Sequence, residues 1–219
     1  MLIALNKPYG VLSQFTSVAG KRTLADLIPT KSVYAAGRLD FDSEGLLLLT
    51  DDGALQHAIA APQNGLVKRY WAQIEGIPEA ASLEGLARGV DIGSGDTRYC
   101  ALPASVAVMA APAIEERVPP IRWRAHIPTS WLEIRIAEGK NRQVRRMTAA
   151  IGHPTLRLIR VGIGNLDLFE LGISPGTWRK IMPSELGLAS RSTPIGHGSV
   201  GKRPEKSLST GLRKGRYWG

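Results

Sequence analysis

The chain has 219 residues, 43% of them hydrophobic, and a formal net charge of +9. That is enough for one domain or two small ones with a packed core. No apolar run is long enough to span a membrane, and MLIALNKPYG at the start lacks the basic-then-apolar pattern of a secretory signal. The single Cys100 excludes an intrachain disulfide and fits the reducing cytoplasm. Four scattered histidines show no metal-ligand spacing, and neither zinc nor iron–sulfur is suggested.

The charge is unevenly spread. Residues 186–219 hold seven Lys/Arg against one Glu and carry six of the nine net charges. This basic, Gly/Ser-rich stretch is too poor in apolar residues to fold, so it is expected to be a disordered tail. Any polyanionic partner of the body must therefore be argued from local clusters.

Residues 2–5 (LIAL) form an expected buried strand, stopped by the Pro/Gly turn Lys7-Pro8-Tyr9-Gly10. A short helix is expected over 23–28, ending before Pro29. Leu46–Leu49 reads as a buried strand, and Asp51 and Asp52 as caps for a helix over 54–60. Strands follow at 69–75 and 103–109, with a helix at 80–88 between them and a Pro-rich connection at 110–121 after them. From Trp131 to Ala137 the pattern alternates, with Leu132, Ile134 and Ile136 on one face and Glu133 and Arg135 on the other. A helix over 142–151 and strands at 156–161, 167–171 and 178–182 complete the body. Strands outnumber helices without regular alternation. This argues for an α+β fold, a mixed and mostly antiparallel sheet with flanking helices. A division is expected near residue 62, separating 1–61 from 62–185.

Two stretches carry chemistry. In GRLDFDSEGLLLLT (37–50) a charged loop runs into a buried strand. Loops held by rigid elements commonly carry catalytic groups. An Asp40 fixed there beside a cation would stay ionised, suited to nucleophilic attack or electrostatic stabilisation. The plainer alternative is a turn of solvated acids. In EGKNRQVRRMTAAIG (138–152) Val144, Met147 and Ile151 recur at helical spacing, while Arg142, Arg145 and Arg146 share a neighbouring face. Six Lys/Arg and no carboxylate lie between Lys140 and Arg160. Gly-Lys-Asn ahead of a basic helix suits phosphate binding. An ordinary charged surface helix is the rival reading, and one arginine can turn inward to a carboxylate, for which Asp40 is the natural partner. Trp71, Trp123 and Trp131 are assigned to packing rather than to base stacking.

GRLDFDSEGLLLLTDDG resembles the signature of pseudouridine synthases, in the branch that modifies ribosomal RNA. KPYGVLS (7–13), KRYWAQIEG (68–76), EGKNRQVRRM (138–147), TLRLIRVGIGNLDL (155–168) and PGTWRKI (175–181) resemble that family's further motifs in order and spacing. The resemblance implies the pseudouridine synthase fold, two subdomains around a central cleft. It also implies an isomerisation that needs no cofactor: uridine's N1–C1′ bond breaks and C5 is joined to C1′. By motif position Asp40 is the nucleophile, attacking at C1′ or at C6. Tyr70 stacks on the base and handles the C5 proton, Arg145 is the basic partner of the aspartate, and Asp42 and Glu44 are bystanders. Arg38 fills the space that the flipped uridine leaves. Lys7, Lys140, Asn141, Arg142, Gln143, Arg146 and Arg160 are the further expected RNA contacts.

PPIRWRAHIPTSWLEI (119–134) with NKPYGVLSQFT (6–16) resembles the large-subunit type. The implied partner is 23S rRNA or a large-subunit assembly intermediate, bound by a monomer with no membrane attachment. Relatives often carry an N-terminal RNA-binding module, and none is expected here because the motifs begin so early. The competing readings are a synthase for tRNA or small-subunit rRNA, and a non-catalytic RNA-binding assembly factor.

Overall fold

A computed structural model of the chain describes residues 1–188, apart from 31, 104, 122 and 123. The first half runs β1 (Leu2–Lys7), β2 (Val11–Leu12), β3 (Arg22–Thr23), β4 (Tyr34–Ala35), β5 (Glu44–Thr50), α1 (Gly53–Ala60) and β6 (Lys68–Glu75). Then come α2 (Ala80–Arg88), β7 (Val90–Ile92), β8 (Tyr99–Ala101), β9 (Ser105–Met109), β10 (Thr129–Ile136) and α3 (Gln143–Ala150). Strands β11 (Thr155–Ile163), β12 (Leu166–Asp167) and β13 (Trp178–Ile181) close the order.

The main sheet runs β13-β1-β5-β11-β6-β10-β9, with β4 paired to β5 and β12 to β11. Its pairings are antiparallel except one, the short parallel contact of β5 with β11 at Glu44–Ile159 and Gly45–Arg160. The fold is the expected α+β architecture. The described residues belong to one compact unit. Residue 62, the expected subdomain boundary, falls between β5 and β6 of this same sheet. The basic-tail expectation lies outside the described residues beyond 188, as does Trp123.

Gly45 makes the parallel contact possible. Its φ is +100°, and a Cβ there would stand 2.3 Å from the Arg160 carbonyl oxygen. Only a residue without a side chain lets β11 approach so closely in that conformation.

Alternation along the strands sorts the core into two layers. On one face Leu5, Leu47, Tyr70, Ala72, Leu132, Ile134 and Leu158 pack with Val144 and Met147 of α3. On the other Leu46, Leu48, Ile159, Val161 and Ile163 pack with Ile59 of α1. The first face carries the candidate site.

Local differences from the sequence reading have physical causes. The expected helix at 23–28 is a single 3₁₀ turn, Leu24–Asp26, because the Asp26 carboxylate accepts from the Thr23 N–H at 2.7 Å and only one turn fits before Pro29. The strand expected at 167–171 shrinks to β12. The Asp167 carboxylate accepts the N–H groups of Phe169 and Glu170 and bends the chain into a turn. Asp52 caps α1 through the N–H groups of Ala54 and Leu55 as expected. Asp51 instead pairs with the N-terminal amine. The β7–β8 hairpin has strands of three residues each, too short for any alternation to mark them in the sequence.

Candidate active site

The GRLD loop is built from two segments stitched together. The hydroxyl of Ser13 donates to the Leu39 carbonyl at 2.7 Å and accepts from the Leu39 N–H at 3.1 Å. The Gly10 N–H donates to the Phe41 carbonyl at 2.9 Å. The KPYGVLS turn thus clamps the residues on both sides of Asp40. Leu39 is buried beneath the loop, and Ser43 N–H closes a turn on the Asp40 carbonyl at 3.1 Å. Asp40 is held by its neighbours' backbone while its own carboxylate remains 30% exposed.

That carboxylate opens on a cavity of about 410 Å³. Arg38, Tyr70, Lys140, Asn141, Arg142, Gln143 and Arg160 share its walls with Asp40, so seven of the other expected site residues converge there. Lys68 also lines it and was missed. The period-2 pattern of KRYWAQIE is the signal that places Lys68 on the face of Tyr70. Among the described lining residues Asp40 is the single carboxylate against five cations.

Three expected residues stand elsewhere. Lys7 is fully buried, donates to the Pro8 carbonyl at 3.0 Å, and lines a different cavity beside Glu44 and Arg157. It offers RNA no surface. Burial pulls its pKa down to about 8 against the opposing pull of Glu44 and Asp42. Arg146 is exposed and donates to the Asn141 side chain at 3.2 Å. Arg145 turns inward, but to Asp42 rather than Asp40: its Nη2 donates to the Asp42 carbonyl at 2.6 Å and its Nε lies 3.5 Å from the carboxylate.

Asp42, the expected bystander, is engaged by two arginines. Arg142 grips it with two hydrogen bonds of 2.8 and 2.9 Å and also comes within 3.6 Å of Asp40. Burial alone would raise the pKa of Asp42; the Arg142 hydrogen bonds and the Arg145 charge overcome this and hold it below the usual carboxylate range. Arg142 adopts φ +50°, the left-handed region, immediately before α3. For a non-glycine residue that costs about 1–3 kcal/mol, which the two-pronged pair offsets in part. Glu44 is likewise occupied, bound by Arg157 at 2.8 and 2.9 Å with both side chains nearly buried.

The start of α3 is arranged by its own side chains. Gln143 accepts from the Lys140 N–H at 3.1 Å and donates to Glu138 at 2.6 Å. Lys140 Nζ sits 3.3 Å from the ring centre of Tyr99 in the unforeseen hairpin. Two of the cations lining the cavity are buried. Lys68 and Arg160 are 7% and 5% exposed and donate to the carbonyls of Ala137 and Leu46. Arg160 Nη2 has no partner among the described residues. Buried cations resting on carbonyls favour an electron-rich occupant.

The family model for RNA pseudouridylate synthases matches residues 1–150. The ribosomal large subunit pseudouridine synthase E of Vibrio parahaemolyticus is 55% identical over 180 residues, covering 82% of this chain and 73% of the relative. The synthase of the same name from Xanthomonas campestris pv. campestris is 54% identical over 182 residues, covering 82% and 94%. A crystal structure of a pseudouridylate synthase superposes with a TM-score of 0.66 at 26% identity, covering 85% of this chain and 72% of that one. With a family match across the segments that bring Asp40, Tyr70 and Arg145 to the site region, and relatives identical at more than half of the aligned positions, this chain belongs to the RNA pseudouridylate synthase family.

Proposed function

We propose that the protein isomerises a specific uridine of 23S rRNA to pseudouridine, with Asp40 as the nucleophile. The observation that carries the reading is the lone Asp40 carboxylate on a wall shared with Tyr70 and five cations. The names of the large-subunit relatives support the choice of RNA.

The cavity suits a base taken out of its stack, since chemistry on N1, C1′ and C5 is blocked inside a helix. Arg38, exposed beside Asp40, occupies the gap left by the uridine. Lys140, Asn141 and Arg142 at the rim hold phosphates near the start of α3. Asp40 forms a bond to the extruded nucleotide. The N1–C1′ bond breaks, the base turns while held against Tyr70, and the C5–C1′ bond forms; the bond to Asp40 is released before the product leaves. The C5 hydrogen leaves as a proton and N1 takes one up, so reactant and product have the same atoms and no co-reactant is needed. Tyr70, 7% exposed, lines the same cavity as Asp40; it presents its ring to the base and serves the C5 proton. Arg145 acts through Asp42, which it and Arg142 share. The reading extends to a cytoplasmic monomer; the exposed, unpaired Cys100 suits a reducing compartment.

Tritium release from 5-³H-uridine-labelled 23S rRNA tests this. Wild-type protein should release tritium as C5 loses its hydrogen, and Asp40→Asn should not, while still binding the RNA. Release by Asp40→Asn at the wild-type rate refutes the nucleophile. Absence of release by wild type, with tight binding retained, moves the reading to another RNA or to a non-catalytic assembly factor.

A further inference from the structure

We propose a second nucleotide subsite, built on Phe41 and Tyr9 with Lys21 and Arg117, that takes an unpaired RNA base flanking the extruded uridine. It rests on the reading of the protein as an RNA-modifying enzyme, and it adds a place on the surface that the catalytic cavity does not include.

Phe41 stands between Asp40 and Asp42, yet it is 37% exposed. A loop that buries Leu39 and Ser43 leaves its one large ring in water. Tyr9 lies beside it, ring centres 6.4 Å apart and planes tilted by 48°. Each ring has a cation: Lys21 Nζ is 5.3 Å from the Phe41 centre, and the Arg117 guanidinium carbon is 4.2 Å from the Tyr9 centre. Arg117 is pinned over Tyr9, donating to the carbonyls of Pro119 and Pro120 at 2.8 and 3.2 Å. Tyr9 and Arg117 also line a cavity of about 250 Å³ whose wall includes Asp42 and Arg145. The aspartate–arginine network therefore borders both this cavity and, through Arg142, the one that holds Asp40.

The chemistry of this patch selects its occupant. Alternating rings and cations match an RNA strand, which alternates bases with phosphates. Arg124, on the same cavity, is already paired with Glu75, and Arg145 with Asp42. None of the ion pairs among the described residues involves Lys21 or Arg117. Their charge is left for a phosphate. Extruding one nucleotide strips its neighbour of a stacking partner, and an aromatic surface one residue from Asp40 is placed to replace it. A planar guanidinium already lying on Tyr9 extends that surface.

The test is a comparison of KM and kcat for tritium release from 5-³H-uridine-labelled 23S rRNA, with filter binding of the same RNA beside it. Phe41→Leu and Tyr9→Leu keep the apolar bulk and remove the flat ring. Each should raise KM about tenfold or more with kcat held within about twofold, and Phe41→Trp should restore KM. Lys21→Ala should lower the slope of log affinity against log salt by about 0.7, the share of one phosphate contact on a single strand. Unchanged KM and affinity in both Leu variants overturn the subsite. So does a fall in kcat that Trp does not rescue, since that marks Phe41 as packing for the Asp40 loop. If wild type releases no tritium while RNA affinity still depends on the Phe41 ring, the isomerase reading fails and the subsite stands. Release by wild type with affinity indifferent to Phe41 gives the reverse.

Discussion

Two of the cavities beside the central strands differ in charge, and the larger is the quieter one. The pocket between β6, β10 and the Pro-rich segment before β10 encloses about 750 Å³, against about 410 Å³ for the cavity of Asp40. In the larger, Arg124 pairs with Glu75 and Arg157 with Glu44, and Glu116 and Arg117 bring one charge of each sign. In the smaller, five cations face one carboxylate; Asp42, outside its walls, pairs with Arg142, and two of the other four are buried on carbonyl oxygens. Volume follows from how loops drape over a sheet. A charge imbalance that includes buried groups is costly unless a partner from outside completes it, so the imbalance marks the site better than size does.

The comparison can be broken most sharply at Asp40. Asp40→Asn should cut tritium release by roughly 10³-fold or more while RNA affinity changes less than about threefold. Next is the neutralised pair on β5 and β11. Glu44→Gln leaves the Arg157 charge nearly buried without its partner and should cost ~3 kcal/mol in urea unfolding. Adding Arg157→Met should restore most of that; no recovery would mean that the pair does more than balance charge.

Lys7 sharpens the contrast, because it is a buried cation without a dedicated carboxylate. Its folded pKa of about 8 lies below the ordinary 10.5. Between those values the unfolded chain holds the proton and the folded chain does not, so its contribution to stability rises with pH. Below about pH 8 the folded state carries the ammonium at a cost of up to ~3 kcal/mol. The unfolding free energy of wild type relative to Lys7→Met should therefore rise between pH 8 and 10.5. A flat difference over that range would show the lysine to be well solvated.

Asp42 is the opposite case, a carboxylate whose pKa is depressed. Its stabilisation is present above the ordinary value of 3.8 and is lost as pH falls through the lower folded value. Because the pair is about a third exposed, Asp42→Asn should cost only ~1 kcal/mol at pH 7, and the gap from wild type should narrow as pH falls below 3.8. The smallest effect belongs to the larger cavity. Gln73→Ala, which removes a wall residue bonded to Thr129, should leave kcat/KM within about twofold. A large loss there would overturn the ranking of the two cavities.

Much of this was legible in residue order. The alternation at 131–137 correctly assigns Leu132, Ile134 and Ile136 to one buried face, and the 3.6-residue spacing of Val144 and Met147 assigns the buried side of α3. The motifs that resemble the family bring seven expected residues to the cavity of Asp40. What escaped were contacts between distant segments. Nothing in KPYGVLS alone says that Ser13 clamps Leu39, 26 residues on. Nothing in a run of three arginines says which one turns inward, or that it meets Asp42 rather than Asp40. Lys7 reads as a basic residue in a Pro/Gly turn, yet the end of β1 is covered on both faces and takes it inside.

The sequence by itself determined the local elements, the polarity of their faces and the residue types available for chemistry, because these follow from periods of 2 and 3.6 residues and from the chemistry of neighbours in the chain. Tertiary structure alone decided which charges are spent on one another and which are left over. Asp42, Arg142 and Arg145 are drawn together from segments about a hundred residues apart, as are Glu44 and Arg157, and these pairings leave Asp40 with one looser arginine contact, Arg142 at 3.6 Å. Coulomb attraction depends on distance in space and on burial, and neither is encoded in any short stretch of chain.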